Sequence, residues 1–126
     1  MGVLGIGGLF FRAQDPEALG QWYRERLGVG RGCVADAAMT PNEWTWQTQG
    51  GDTVFEPFKA DTDYFPADKA FMINLRVADL DAVLAPFHAA GEAVITKAEW
   101  DEMGLGRFAR VHDPEGNPIE LWEPAQ

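Results

Sequence analysis

Two glutamates sit in matching surroundings: Phe55-Glu56-Pro57-Phe58 and Ile119-Glu120-Leu121-Trp122. Side chains alternate faces along a strand. Ile119 and Leu121 therefore share one face, and Glu120 and Trp122 share the other. With Ile119 and Leu121 in a core, Glu120 points into whatever the opposite face encloses. A carboxylate there has a small set of uses. Without a cationic partner in an apolar cleft its pKa rises, and it works as a general base. Beside an arginine it forms a buried pair. With other donors it ligates a cation. Arg76 and Arg110 share the inner-face parity of Glu120 on other predicted strands. Each either neutralises a glutamate or anchors a ligand carboxylate or phosphate through paired N–H groups. His112 follows Arg110 on the same face, at the strand end, where a Glu-to-His112 relay is conceivable.

The same parity gathers aromatic and polar side chains around these groups. Phe10, Trp44, Trp46, Phe58, Phe108 and Trp122 fall on the predicted inner face with Asn74, Arg76 and Arg110. Such a lining suits a flat or apolar small molecule, or simply fills the space between sheets. Glu120, Glu56 and His112 are thus the candidate catalytic residues. Trp44, Trp46, Phe10, Asn74, Arg76, Phe108, Arg110 and Trp122 are the candidate ligand-binding residues.

The elements that must position them read in order. Residues 6–13 are a predicted strand. Asp15-Pro16-Glu17 opens a helix, with an N-cap, a proline at the first helical position and an acid that complements the dipole. Trp22 and Tyr23 belong to its packing face, and Gly28 suits its end. Residues 43–48 alternate as a strand, Gly50-Gly51-Asp52 make a turn, and residues 53–58 form the next strand. Pro57 places that strand at an edge. A polar connector, 61–69, follows. Then come a strand over 71–77, a helix capped by Asp79 and ended by Gly91, and a strand over 92–98. Pro86 lies inside the helix and should kink it or break a bond. A loop over 100–106 leads to strands over 106–112 and 118–122. Asp113-Pro114-Glu115-Gly116 joins the last two as a type I turn.

The order repeats. At a constant offset of 64 residues, Leu9 meets Ile73, Asp15 meets Asp79, Tyr23 meets Phe87, Phe55 meets Ile119 and Glu56 meets Glu120. The unit is a strand, a helix and three strands, and the chain holds it twice. Two such units, 1–60 and 70–126, would pair their sheets around a cleft, with helices outside. The expected fold class is α+β.

These residues carry a resemblance. Trp22-Tyr23-Arg24-Glu25-Arg26-Leu27-Gly28 is similar to the F-Y-x-x-x-L-G helix end of the vicinal-oxygen-chelate superfamily. Asp113-Pro114-Glu115-Gly116-Asn117-Pro118-Ile119-Glu120-Leu121 is close to its D-P-x-G-x-x-[IL]-E-L ending. The superfamily holds glyoxalase I, extradiol dioxygenases, fosfomycin-resistance enzymes and bleomycin-resistance proteins. The resemblance implies paired βαβββ modules around a cleft. It also implies metal ligands at Gly8, Glu56, Met72 and Glu120. Only the two glutamates suit that role: glycine offers no ligand, and thioether sulfur is a poor partner for hard cations. A site reduced to Glu56 and Glu120 is short of the about three protein ligands of a catalytic zinc centre. The expectation is a protein without the usual complete metal site, a divalent metal on Glu56 and Glu120 being the remaining possibility. Three readings follow. One is Glu-based acid/base chemistry on a small carbonyl substrate. Another is sequestration of a ligand, as in bleomycin-resistance proteins. The last is a metal-dependent lyase or dioxygenase. The resemblance further implies a homodimer.

Composition narrows the partners. The chain has 126 residues, enough for one domain with a real core. Its net charge of −10 shows no basic patch, which argues against nucleic acid and anionic membranes. One cysteine, Cys33, forbids an internal disulfide and favours a reducing, cytoplasmic setting. No motif surrounds Cys33 to make it a nucleophile, and His88 reads as a surface or packing residue on the second helix.

Overall fold

A computed structural model describes residues 2–30 and 46–126. Three strands and three helices are formed among them: α1 (Pro16–Leu27), β1 (Ile73–Arg76), α2 (Leu80–Ala89), α3 (Ala98–Asp101), β2 (Gly106–His112) and β3 (Pro118–Pro124). The sheet runs β1-β3-β2, with β1 parallel and β2 antiparallel to the central β3. The architecture is α+β, built on a small mixed sheet.

Both long helices start as their sequences dictate. The Asp15 carboxylate accepts the N–H of Ala18 at 3.1 Å, and that of Asp79 accepts the N–H of Ala82 at 3.1 Å. Glu123 adds a second acceptor for α2, taking the N–H of Leu80 at 2.9 Å. Gly28 ends α1 in the left-handed region, φ 68°, with its N–H on the carbonyl of Arg24. Helix α2 runs through Pro86 to Ala89, and the Pro86 carbonyl accepts the N–H of Ala90.

One face of the sheet is the core. Ala109, Val111, Ile119 and Leu121 are fully buried, against Leu19, Trp22 and Tyr23 of α1 and Leu80, Leu84 and Phe87 of α2. Full burial of a large apolar side chain contributes about 1.5–3 kcal/mol, so this layer fixes the register of β3. The rings of Trp22 and Phe87 meet edge-on at 5.8 Å where the helices touch. Glu92 ties that seam, accepting from the Trp22 indole at 3.2 Å and from Arg26 at 3.1 Å.

Several expected strands are not formed. Residues 6–13, 46–48 and 53–58 have no strand pairing, and the rest of the 43–48 segment lies outside the described residues, as do Trp44 and Cys33. Alternation shows which face a side chain would take, but a strand exists only where a neighbour completes its ladder. Here the segment after Trp46 meets β1 through a side chain instead: Arg76 donates to the carbonyls of Gln49 and Asp52, each at 3.0 Å. The 92–98 strand shrinks to one bridge, Ile95 with Arg110, and residues 98–101 turn into α3. No helix among the described residues is long and apolar enough to cross a membrane.

Candidate functional site

The central strand sets the site. In β3, Glu120 lies between Asn74 of β1 and Arg110 of β2, its register partners on either side. All three point away from the core face, because Ile119 and Leu121 occupy that face. Glu120 is only 6% exposed. One carboxylate oxygen accepts the Asn74 amide at 2.8 Å, and the other accepts the Tyr64 hydroxyl in a short hydrogen bond. The Arg110 guanidinium lies 3.9 Å from that second oxygen. A buried carboxylate is tolerable only with such partners.

Tyr64 and Trp100 complete the cluster. The guanidinium carbon of Arg110 sits 5.0 Å from the Tyr64 ring centre and 5.4 Å from that of Trp100. Arg110 also donates to the Tyr64 carbonyl at 3.0 Å. Burial, then the hydrogen bond and charge of Glu120, pushes the Tyr64 hydroxyl up to about 12. At neutral pH Tyr64 is therefore the proton donor of this pair.

Glu120 and Asn74 form part of the wall of a cleft of about 910 Å³, shared with Glu56, Phe58, Phe65, Phe71 and Met72. The cleft thus joins an aromatic lining to one buried carboxylate. Both glutamates border it, but unequally: Glu56 is exposed on the 53–58 segment, and Glu120 is held on three sides. The other candidates are placed elsewhere. Phe10 is 91% exposed, and Trp46 is exposed as well. Arg76 is turned to the 49–52 segment. Phe108 and Trp122 stack on each other, rings nearly parallel at 6.1 Å, and the Trp122 indole donates to the Leu105 carbonyl at 2.8 Å. His112 lies opposite Pro118 and makes no hydrogen bond to Glu120 among the described residues. Burial and the Arg110 cation hold its imidazole below the usual histidine value, with Asp113 opposing them in part.

Tyr64 and Trp100 escaped the sequence reading. Tyr64 lies in the polar connector and Trp100 opens the predicted 100–106 loop, where neither periodicity nor motif marks a side chain. The turn motif, by contrast, proves structural. The Asp113 carboxylate accepts the Tyr23 hydroxyl at 2.7 Å, the backbone N–H groups of Glu115 and Asn117, and the Asn117 amide. The Glu115 carboxylate reaches across to the N–H groups of Gln14 and Asp15 at the start of α1.

A family model described as a glyoxalase-like domain matches residues 8–122. The chain belongs to this glyoxalase-like domain family, within the vicinal-oxygen-chelate superfamily. No curated protein and no solved structure matches it. Among the described residues of this glyoxalase-like domain, the donors do not fit the superfamily's metal. Both oxygens of Glu120 already accept hydrogen bonds, and a guanidinium cation stands beside it. A divalent ion there would meet a like charge, and Gly8 and Met72 add no hard ligand. Among the described residues no three His, Cys, Asp or Glu side chains cluster for a metal.

Proposed function

We propose that this glyoxalase-like domain binds a small, flat, largely apolar carbonyl compound in the 910 Å³ cleft, with Glu120 as its acid/base group. One observation carries the reading: a carboxylate 6% exposed lies in the wall of an aromatic cleft. Tyr64 and Asn74 fix the orientation of both oxygens. Each oxygen keeps a lone pair beyond these bonds, so Glu120 retains the means to take a proton from carbon. A positioned base of this kind contributes about 10²–10⁴-fold in rate.

The test is deuterium incorporation from D₂O into a panel of aryl ketones bearing α-hydrogens, followed by NMR. Exchange is expected with the wild type. Glu120→Gln should lose at least about 100-fold of it while keeping ligand affinity. Absence of exchange across the panel would sink the chemistry. Retained binding without exchange would favour sequestration. The fixing of both Glu120 oxygens supports that second reading, since it suits a rigid wall.

The same reading takes the chain as two βαβββ modules, 1–60 and 70–126, joined by 61–69. The matched caps of α1 and α2 support it. It takes the protein as a cytoplasmic homodimer. Val3, Leu4, Phe10 and Phe55, all more than four-fifths exposed, supply apolar surface for a second copy. Sedimentation equilibrium tests this, and a monomer at micromolar concentration would refute it.

A further inference from the structure

Arg110 is 5% exposed, yet among the described residues its Nε and Nη2 have no hydrogen-bond partner. Nη1 donates to the Tyr64 carbonyl. The two idle atoms are adjacent on one edge of the guanidinium, the edge that grips an oxygen acceptor with two parallel N–H groups. The rings of Tyr64 and Trp100 lean on the cation but offer it no acceptor. Glu120 approaches this edge, but its nearer oxygen stops 3.9 Å from Nη2. It goes no closer because Tyr64 and Asn74 hold the carboxylate. Buried charged donors are rarely left in this state, and here Nη2 lies beside the carboxylate that forms part of the cleft wall.

We propose that the Nε–Nη2 edge of Arg110 is the binding site for the carbonyl oxygen of a neutral ligand. The neutral class follows from the charges. Glu120 already balances Arg110, and a ligand carboxylate would bring a second negative charge against Glu120 in a dry site. A carbonyl oxygen adds no net charge and satisfies both donors. The inference rests on the reading of Glu120 as the base, and it deepens it. When Glu120 takes the α-proton, the C–H pair forms the new C=C bond, and the carbonyl π pair becomes the enolate oxygen's charge. That charge develops against the guanidinium, which is where stabilisation by fixed donors is most effective. Return of the proton from Glu120 to carbon closes the cycle without any other reactant. Arg110 thereby fills the electrophile's place beside Glu120.

The experiment follows the Arg110 side-chain Nε–H by ¹H–¹⁵N NMR in the intact protein. The resonance is assigned by its loss in Arg110→Lys, or by through-bond correlation if that variant does not fold. Three probes share one ring: acetophenone, benzoate and ethylbenzene. Acetophenone should shift the Nε–H saturably, and the other two should not. A folded Arg110→Lys should bind acetophenone about tenfold more weakly and ethylbenzene unchanged. An Nε–H that ignores acetophenone, moves equally with ethylbenzene, or moves only with benzoate would overturn the proposal. Deuterium exchange without the Nε–H shift sinks this inference alone. The shift without exchange sinks the acid/base reading and leaves the oxygen site standing.

Discussion

The Tyr23 hydroxyl donates to the Asp113 carboxylate at 2.7 Å across 90 residues, tying helix α1 to the turn between β2 and β3. Both residues are buried. The helix motif and the ending motif are therefore one physical contact, made where the first long helix meets the turn that aims β3.

Tyr23→Phe removes the donor and leaves the carboxylate its bonds from Glu115 and Asn117. The expected loss is about 1–2 kcal/mol. Asp113→Ala undoes the turn as well and should lose more. Urea unfolding of both variants measures this, and an unchanged midpoint for Asp113→Ala would show that the turn is not anchored as described.

The chain has two tyrosines, and each donates to a buried carboxylate. Burial raises both hydroxyls, Tyr64 to about 12 and Tyr23 beyond the ordinary range. The folded value lies above the unfolded value of 10.0, so the contribution to stability is whole below pH 10. For Tyr64 it is lost as pH rises from about 10 through about 12. Tyrosinate absorbance should therefore show no ionisation at the ordinary midpoint, then a steep rise together with alkaline unfolding. A simple titration of either tyrosine near 10 would contradict the structure.

His112 shifts the other way. Its folded value lies below 6.5, so it supports the fold above that pH and withdraws support as pH falls through the lowered value. An NMR titration of the ring proton should give a midpoint below 6.5. Arg110→Met should bring the midpoint back toward the ordinary value, because one of the two lowering causes is gone.

Glu120→Gln leaves the Arg110 guanidinium buried without its carboxylate, an expected loss of about 3–5 kcal/mol. Arg110→Met leaves Glu120 still held by two neutral donors and should cost about 1–2 kcal/mol. The double variant should fall short of the sum by about 1 kcal/mol, the signature of coupled neighbours. Strict additivity would mean that the 3.9 Å approach carries no energy.

Gly106 opens β2 with φ 125°, and a Cβ there would lie 2.0 Å from the Glu123 carbonyl oxygen. Gly106→Ala therefore meets a backbone atom as well as a forbidden φ. A loss of more than about 2 kcal/mol is expected, read as a fall in the thermal midpoint. A neutral substitution would show that β2 does not begin there.

Residue types and their spacing were enough for the local features. Asp15 and Asp79 as helix caps, Gly28 as a helix end and the turn at Asp113 depend on a few neighbouring atoms, so residue type suffices. The alternation in β2 and β3 also sufficed to put Ile119 and Leu121 in the core and Glu120 on the opposite face, whereas its place between Asn74 and Arg110 came from the strand order and register. Tertiary structure alone decided the rest. Whether residues 6–13 and 53–58 become strands depends on a neighbour for their ladder, which alternation does not reveal. The surroundings of the Glu120–Arg110 pair were decided by chain reversals. Tyr64 arrives from 56 residues away on an irregular connector, and Trp100 on a four-residue helix. Nothing local distinguishes such side chains from solvated ones. Among the described residues, the same packing left one edge of Arg110 without an acceptor, because the carboxylate that register placed beside it is held by other donors.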